Sequence, residues 1–517
     1  MQRLTASGQH TNKRIAFKLK KMHLKKTLLW AFFIVLLMAG CKKWDEHNKV
    51  DNQDLTKTLL DEISQRSALS KFYGYLKSTG LDKELASSKT YTVWAPTNDA
   101  LQSLDPAIVA DTAKLRQFVA NHIAYQAYFT RNAQTPVRVP MLSGKRVTFT
   151  ASKFDDANIT EADKYESNGV LQVIDKFSLA YPNAWELTNN TSTTFQQSAF
   201  ILTQTRKVFD PTNAIIDSIS SQTGQPIYRP GTDSVLRNAF NTDVTDLQSE
   251  DKQYTYFILT DAGLNAEITK ITPYFKTSRA DSTKNLSSFA VAKDLIVEGE
   301  YSLAQLPAVL TSKFGVKIPI DKSKIVETRR MSNGIAYVIS GINFDVKDKI
   351  PTVVVQGENY VRFYDANGNV VTPRQNVSGS PLAALIRSRA TPTGQPFTDL
   401  FVYNHTTPSL SALYRAPNLP SIKYHVYWVA PNDTLNSAGT VVPQAFNQRL
   451  AMGALGTNYL PNATGQSVAI NNYSEVYLGD WVQSSYGTLN MFLTGNSSTA
   501  APQNRMNLDY IKLIPDL

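Results

Sequence analysis

One segment constrains this chain more than any other. Residues 91–101, Tyr91-Thr-Val-Trp-Ala-Pro-Thr-Asn-Asp-Ala-Leu101, read as a buried strand that stops and becomes a helix. The first four residues are aromatic or β-branched, which suits a pleated, packed surface. Pro96 has no N–H to give a ladder, so strand pairing ends there. Thr97 is placed to cap a short helix, with Asp99 in its first turn at the positive end of the dipole. A drifted copy recurs at Tyr254-Thr-Tyr-Phe-Ile-Leu-Thr-Asp-Ala-Gly-Leu264. Each copy is followed, 77 and 79 residues after its tyrosine, by the asparagine of a Ser-Asn-Gly run, at Asn168 and Asn333, leading into an apolar strand. Two copies are too few for a solenoid, which needs about three, so they predict tandem domains. Leu259 replaces the proline in the second copy, and Gly263 sits inside the small helix, so the polar residues of the first copy read as dispensable.

The rest of the first module follows that frame. Apolar spacing predicts helices over 55–76, with a break near Ser67, over 81–85, and over 113–129. Residues 141–149 read as a hairpin turning at Ser143-Gly144. This order resembles the fasciclin domain. The resemblance rests on residues 91–101, on Phe118-Val-Ala-Asn-His-Ile-Ala-Tyr-Gln-Ala-Tyr128, and on Asn168-Gly-Val-Leu-Gln-Val-Ile-Asp175. It departs at Gln172, where that family often has histidine. It implies a compact β-sandwich or wedge wrapped by helices, with adhesive rather than enzymatic character. His122 has two readings, a hydrogen-bonded histidine packed near the core or a ligand contact, and the first is favoured. Residues 295–306 are the expected counterpart of the His122 helix and hold no histidine. Residues 211–243, rich in Pro, Gly, Ser and Asn, read as an inserted long loop, either plain surface or a partner contact.

Beyond Lys349-Ile-Pro351 charged residues thin out and short strand signals recur between turns, at 352–355, 360–364, 400–403, 423–429, 474–478, 488–493 and 508–514. That is the pattern of an all-β sandwich. Asp365-Ala-Asn-Gly-Asn369 begins like a calcium loop, but Asn376 stands where a bidentate Glu is needed, so a turn is the better reading. The closing segments, Val476-Tyr-Leu-Gly-Asp-Trp481 and Asn507-Leu-Asp-Tyr-Ile-Lys-Leu-Ile-Pro515, resemble galactose-binding-like jelly rolls and related carbohydrate-binding modules. The expected fold is therefore multidomain: two α+β fasciclin-like β-sandwich or wedge domains, then an all-β jelly-roll sandwich. Tyr427 and Trp428 are adjacent, so on a strand only one can face the core. A sugar site needs an aromatic face and amide or carboxylate partners, which makes Tyr403, Trp428, Trp481 and Tyr486 the candidate ligand-binding residues.

The N-terminus gives an address. Lys25-Lys26 precede an apolar run at 28–39 that ends in Met38-Ala-Gly-Cys41. The run is too short for a comfortable span of about 20 residues, and the order is that of a secretory signal. The end resembles a bacterial lipobox, which implies lipidation of Cys41; an uncleaved anchor is the alternative. Residues 1–40 are the expected signal peptide, with Met22 a plausible start, and 41–51 a tether. The expected domains are 52–187, 190–347 and 350–517. The polar stretch after Cys41 resembles the surface-export signals of Bacteroidetes lipoproteins, so the expected location is the outer membrane, facing outward.

Charge, cysteine and motifs limit the chemistry. The net charge is +10, but residues 1–40 hold eight Lys or Arg and no acid, so their removal leaves +2. No chain-wide basic field remains for nucleic acid. Cys41 is the single cysteine, which leaves no intrachain disulfide and no thiolate zinc site. No phosphate loop, dinucleotide fingerprint or nucleophile elbow is present. No catalytic residue, metal ligand or cofactor is therefore assigned. The expected partners are the membrane, through the lipid, and a glycan or an outer-membrane protein. The competing readings are a polysaccharide-active enzyme and a purely structural envelope partner.

Overall fold

The computed structural model describes residues 56–517 except 373, 376–382, 404, 406, 434–442, 499 and 501. Cys41, the leader and the tether lie outside the described residues. The chain divides after Ala180 into two compact units.

In the first unit, helices Leu59–Gln65, Ser70–Thr79, Leu81–Leu85 and Thr112–Ala120 accompany a seven-stranded sheet. Its order is Ile123–Tyr125, Tyr91–Pro96, Gly169–Ile174, Ala157–Glu166, Lys153–Phe154, Arg146–Phe149 and Val137–Pro140. The two ends of this sheet meet, because Ala124 bridges to Met141 and the Leu142 N–H donates to Ile123 O at 2.7 Å. Alternation along Tyr91–Pro96 then feeds two cores. Tyr91, Val93 and Ala95 pack with the helices, while Trp94 joins Phe149, Phe154 and Val139 on the other side. Thr97 Oγ1 accepts from the Ala100 N–H ahead of the short 3-10 helix Ala100–Ser103, but Asp99 is that helix's N-cap and not a residue of its first turn as expected.

The predicted helix over 113–129 is shorter. It ends at Ala120, and Ile123–Tyr125 is an edge strand paired to residues 91–93. Asn121 closes the last turn through its N–H, and the β-branched Ile123 then gains more from the ladder and the core than from another helical turn.

In the second unit, Ile296–Glu298, Tyr254–Leu259, Gly334–Ile339 and Ile325–Met331 form a four-stranded sheet in that order. Tyr254–Leu259 runs parallel to Gly334–Ile339 with Tyr254 opposite Gly334, and Tyr91–Pro96 runs parallel to Gly169–Ile174 with Tyr91 opposite Gly169. The expected counterpart of the His122 helix is therefore corrected: residues 296–298 are a strand, and Leu295 stands where His122 does. The Phe257 N–H donates to Leu295 O as the Trp94 N–H donates to His122 O. The expected long loop is also corrected. Residues 205–238 form a β-arm of two antiparallel ribbons, Thr205–Phe209 with Ser234–Asn238 and Ile216–Ile219 with Pro226–Tyr228. Its Pro and Gly residues sit largely in turns between strands, so their abundance hid the ribbons.

Polar residues that both copies keep hold matching roles. Thr92 and Thr255 each donate to a carbonyl, Gln126 O and Gly299 O, and accept the N–H of Tyr128 and Tyr301. Tyr91 and Tyr254 hydroxyls donate to Glu84 O and Asp246 O. Asn168 accepts the Leu59 N–H, and Asn333 accepts the Ala184 N–H, so each ties the module's first helix to its sheet.

The C-terminal part is a β-sandwich. One four-stranded sheet runs Val353–Gln356, Tyr510–Pro515, Lys423–Val429 and Val476–Val482. A larger sheet is built around Ser411–Leu419, Gly487–Gly495 and Phe446–Met452, and a third around Ala383–Ala390 and Pro396–Tyr403. Inward residues of all three meet in one core, among them Tyr424, Trp428, Leu513, Tyr414, Met491 and Leu400. Asp365 closes its hairpin by accepting the N–H groups of Asn367 and Asn369, the turn the sequence predicts.

Candidate functional site

Strand alternation decides which aromatic rings reach solvent. In Lys423–Val429, Tyr424, Val426 and Trp428 point inward, and Lys423, His425 and Tyr427 are left on the outer face. The neighbouring strand Val476–Val482 sets Tyr477 opposite Tyr427 and Asp480 opposite His425. On the other side, Tyr510–Pro515 sets Lys512 beside Tyr427.

These residues form a connected face. The Tyr427 and Tyr477 ring centroids are 5.2 Å apart at 50°. The Tyr477 hydroxyl donates to Asp480 Oδ1 at 2.6 Å, and His425 Nδ1 lies 2.6 Å from the same oxygen. Those two bonds hold the Asp480 carboxyl below its usual range, and the carboxylate in turn pushes the Tyr477 hydroxyl up to about 12. Lys423 pairs with Asp516. Glu475 accepts from Lys512 at 2.7 Å and from the Tyr510 hydroxyl at 2.9 Å. Tyr477 is 50% exposed. The face thus offers an aromatic surface for apolar C–H groups, ringed by carboxylate acceptors and hydroxyl, imidazole and ammonium groups.

The four aromatic residues singled out from sequence are not brought together. Trp428 is 1% exposed in the sandwich core. Trp481 stands opposite Tyr424, packs against that core, and donates from Nε1 to Gln483 at 3.0 Å. Tyr403 stacks on Phe401 at 5.4 Å in a different sheet. Tyr486 packs on Phe275 at 5.2 Å, and its N–H donates to Lys276 O, so it belongs to the contact between two parts of the second unit. The face formed by Tyr427, Tyr477, His425 and Asp480 was missed, although a signal existed. Tyr427 and Trp428 cannot share a side, and Val426, two residues before Trp428, gives the phase that sends Trp428 inward.

His122 is 0% exposed. Its Nδ1 is 2.9 Å from Phe118 O, and its Nε2 accepts the Ser178 N–H at 3.1 Å. Burial lowers it to about 4. A neutral, doubly bonded histidine between Phe118 and Phe72 is a packing residue. Gln172 is likewise structural: it bonds Asp163 at its N–H and carboxylate and Tyr128 at its carbonyl. Among the described residues no group of His, Cys, Asp and Glu is arranged to hold a metal, and no helix is long and apolar enough to cross a membrane.

The profile of the Fasciclin domain matches residues 67–179. This segment is a fasciclin domain. Protein sll1483 of the cyanobacterium Synechocystis is 27% identical over 136 residues, which is 24% of this chain and 75% of that protein. Among solved structures, the fasciclin domain pair of the insect cell adhesion molecule fasciclin I is similar at 18% identity and a TM-score of 0.22, over 55% of this chain and 99% of that one. A carbohydrate-binding domain, CBM36-1 of a multidomain xylanase from the hindgut metagenome of Trinervitermes trinervoides, is similar at 12% identity and a TM-score of 0.18, over 32% of this chain and 96% of that one.

Proposed function

We propose that this is a non-catalytic binding protein of the cell surface. In this reading two fasciclin modules, the domain at 67–179 and a diverged second copy, act as adhesive spacers, and the C-terminal sandwich captures a glycan on the Tyr427–Tyr477 face. Lipidation of Cys41 would hold the chain at the outer membrane, in a polysaccharide-uptake system. Support for the second module comes from the shared parallel register and the matched Tyr, Thr and Asn bonds. The observation that carries the binding reading is the pairing of exposed Tyr477 with half-buried Tyr427, with the Tyr477 hydroxyl and the His425 imidazole both on Asp480. A pyranose presents C–H groups on one side and hydroxyls at its rim, which is the complement of such a surface.

The test is a glycan array probed with the chain and with Tyr427→Ala. The expected result is a defined set of bound glycans that the substitution abolishes. Equal binding by both proteins would move the site elsewhere. Turnover of a bound polysaccharide would replace this reading with an enzymatic one.

A further inference from the structure

The charges around Tyr427 and Tyr477 bear on which glycans that face can take, an inference that rests on its reading as a glycan site. Its cations are each met by an acid. Lys423 pairs with Asp516 and lies 3.8 Å from Asp480. His425 sits between the same two carboxylates, with Nδ1 at 2.6 Å from Asp480 and Nε2 at 3.9 Å from Asp516. Lys512, beside Tyr427, donates to Glu475 at 2.7 Å. The side chains of all six are 27–42% exposed, so a ligand on the rings can reach them.

Two lysines against three carboxylates give 2 − 3 = −1 with the imidazole neutral, and balance with it protonated, so this cluster is positive in neither state. A uronate or sulfate would have to draw a lysine away from its acid and leave that acid unpaired. The hydrogen bonds point the same way. The Tyr477 and Tyr510 hydroxyls already donate to carboxylates. Asp480 takes both of its bonds, from Tyr477 and His425, on Oδ1, and Glu475 takes both of its own, from Lys512 and Tyr510, on Oε1. Among the described residues no hydrogen bond is donated to Asp480 Oδ2 or Glu475 Oε2. Lys512 and then Tyr510 hold Glu475 below the usual carboxylate range, and Tyr477 and then His425 do so for Asp480, so both stay charged. The face therefore has acceptors to offer, and its ligand must bring donors. We propose that the face selects neutral glycans, whose own hydroxyls donate to Asp480 Oδ2 and Glu475 Oε2, and that Glu475 and Asp516, by occupying Lys512 and Lys423, exclude uronic-acid and sulfated chains.

The test sets cello-, xylo-, manno- and galacto-oligosaccharides beside oligogalacturonates, alginate oligosaccharides and heparin-derived oligosaccharides, all at low salt. The chain is expected to bind neutral members, and the uronic-acid counterpart of a bound neutral glycan at least about fivefold more weakly. In the variant E475Q/D516N, which releases Lys512 and Lys423, that ratio should shrink by at least about fivefold. The ratio is read within one protein, so a misfolded fraction cancels. Acidic glycans bound as tightly as neutral ones, and lost in Tyr427→Ala, would overturn this inference while the glycan reading stands. So would a ratio that E475Q/D516N leaves unchanged. Binding of neither group, or binding that Tyr427→Ala does not weaken, would instead overturn the glycan reading, and this inference with it.

Discussion

Gly169 and Gly334 show how tightly a single residue can be specified. Both have positive φ, +152° and +139°, and a Cβ on either would lie 1.9 Å from a backbone oxygen, that of Tyr91 or Tyr254. The neighbour is the central strand of its module, which cannot move without breaking the parallel ladder. Gly169→Ala and Gly334→Ala should each cost about 3–4 kcal/mol, read as a lowered urea midpoint. Gly144→Ala has open space around it and only its φ of +83° to oppose it, so about 1 kcal/mol is expected. Similar losses at all three positions would contradict the close-packed ladder. His122 gives a pH dependence. Its folded pKa, about 4, lies below the ordinary 6.5, so the unfolded chain takes up the proton first. Its contribution is full above about pH 6.5 and is lost as pH falls toward 4, about 3 kcal/mol in all. Histidine NMR should find a neutral ring protonated at Nδ1 at pH 5.5; an imidazolium there would contradict the packing described. Asp509 has the opposite sign. Burial, with Asp399 and Glu358 nearby, raises it to about 6, so it opposes folding increasingly as pH rises through that value.

Among elements, the central strands were legible because aromatic and β-branched runs bounded by Pro or Gly have few alternatives. The strand at Ile123–Tyr125 was not, since its apolar residues continue the spacing of the preceding helix. Sandwich strands such as Ser411–Leu419, which contains a proline and two alanines, also lacked a strong local signal. The Tyr427–Tyr477 face needed two facts that sequence alone did not join: which of Tyr427 and Trp428 is inward, and which residues of a strand some fifty positions away lie opposite. The helix Val346–Lys349 carries a buried charge at its end. Lys349 donates to Asp294 at 2.7 Å and to Ala290 O at 2.8 Å, and Asp294 also accepts from Ser312. Removing one partner strands the other, so Lys349→Ala should cost about 3–5 kcal/mol, whereas Lys349→Met with Asp294→Leu should cost much less. Equal losses in the denaturation curves would mean that volume, not charge, sets the effect. Tyr486→Ala should likewise destabilise the second unit, by about 2–4 kcal/mol, while leaving glycan binding unchanged. A selective loss of binding would return Tyr486 to the ligand site.

For the whole molecule, the proposed function combines an address, a spacer and a binding surface. The address is tested through Cys41→Ser, which should abolish incorporation of labelled palmitate; continued labelling would contradict the lipobox reading. The proposed division of labour between packing and binding rests on the Tyr427–Tyr477 face, where the Tyr477 hydroxyl and His425 both bond Asp480 at the surface and the Tyr427 ring packs on Tyr477. The most direct measurement is calorimetric titration of an array-selected oligosaccharide into the chain and into Tyr477→Phe and Tyr477→Ala. The account predicts that Tyr477→Phe, which keeps the ring and loses the bond to Asp480, weakens binding moderately, by about 1 kcal/mol. Tyr477→Ala should weaken it below detection, with the unfolding midpoint unchanged in both. Undiminished affinity in Tyr477→Ala would contradict the account.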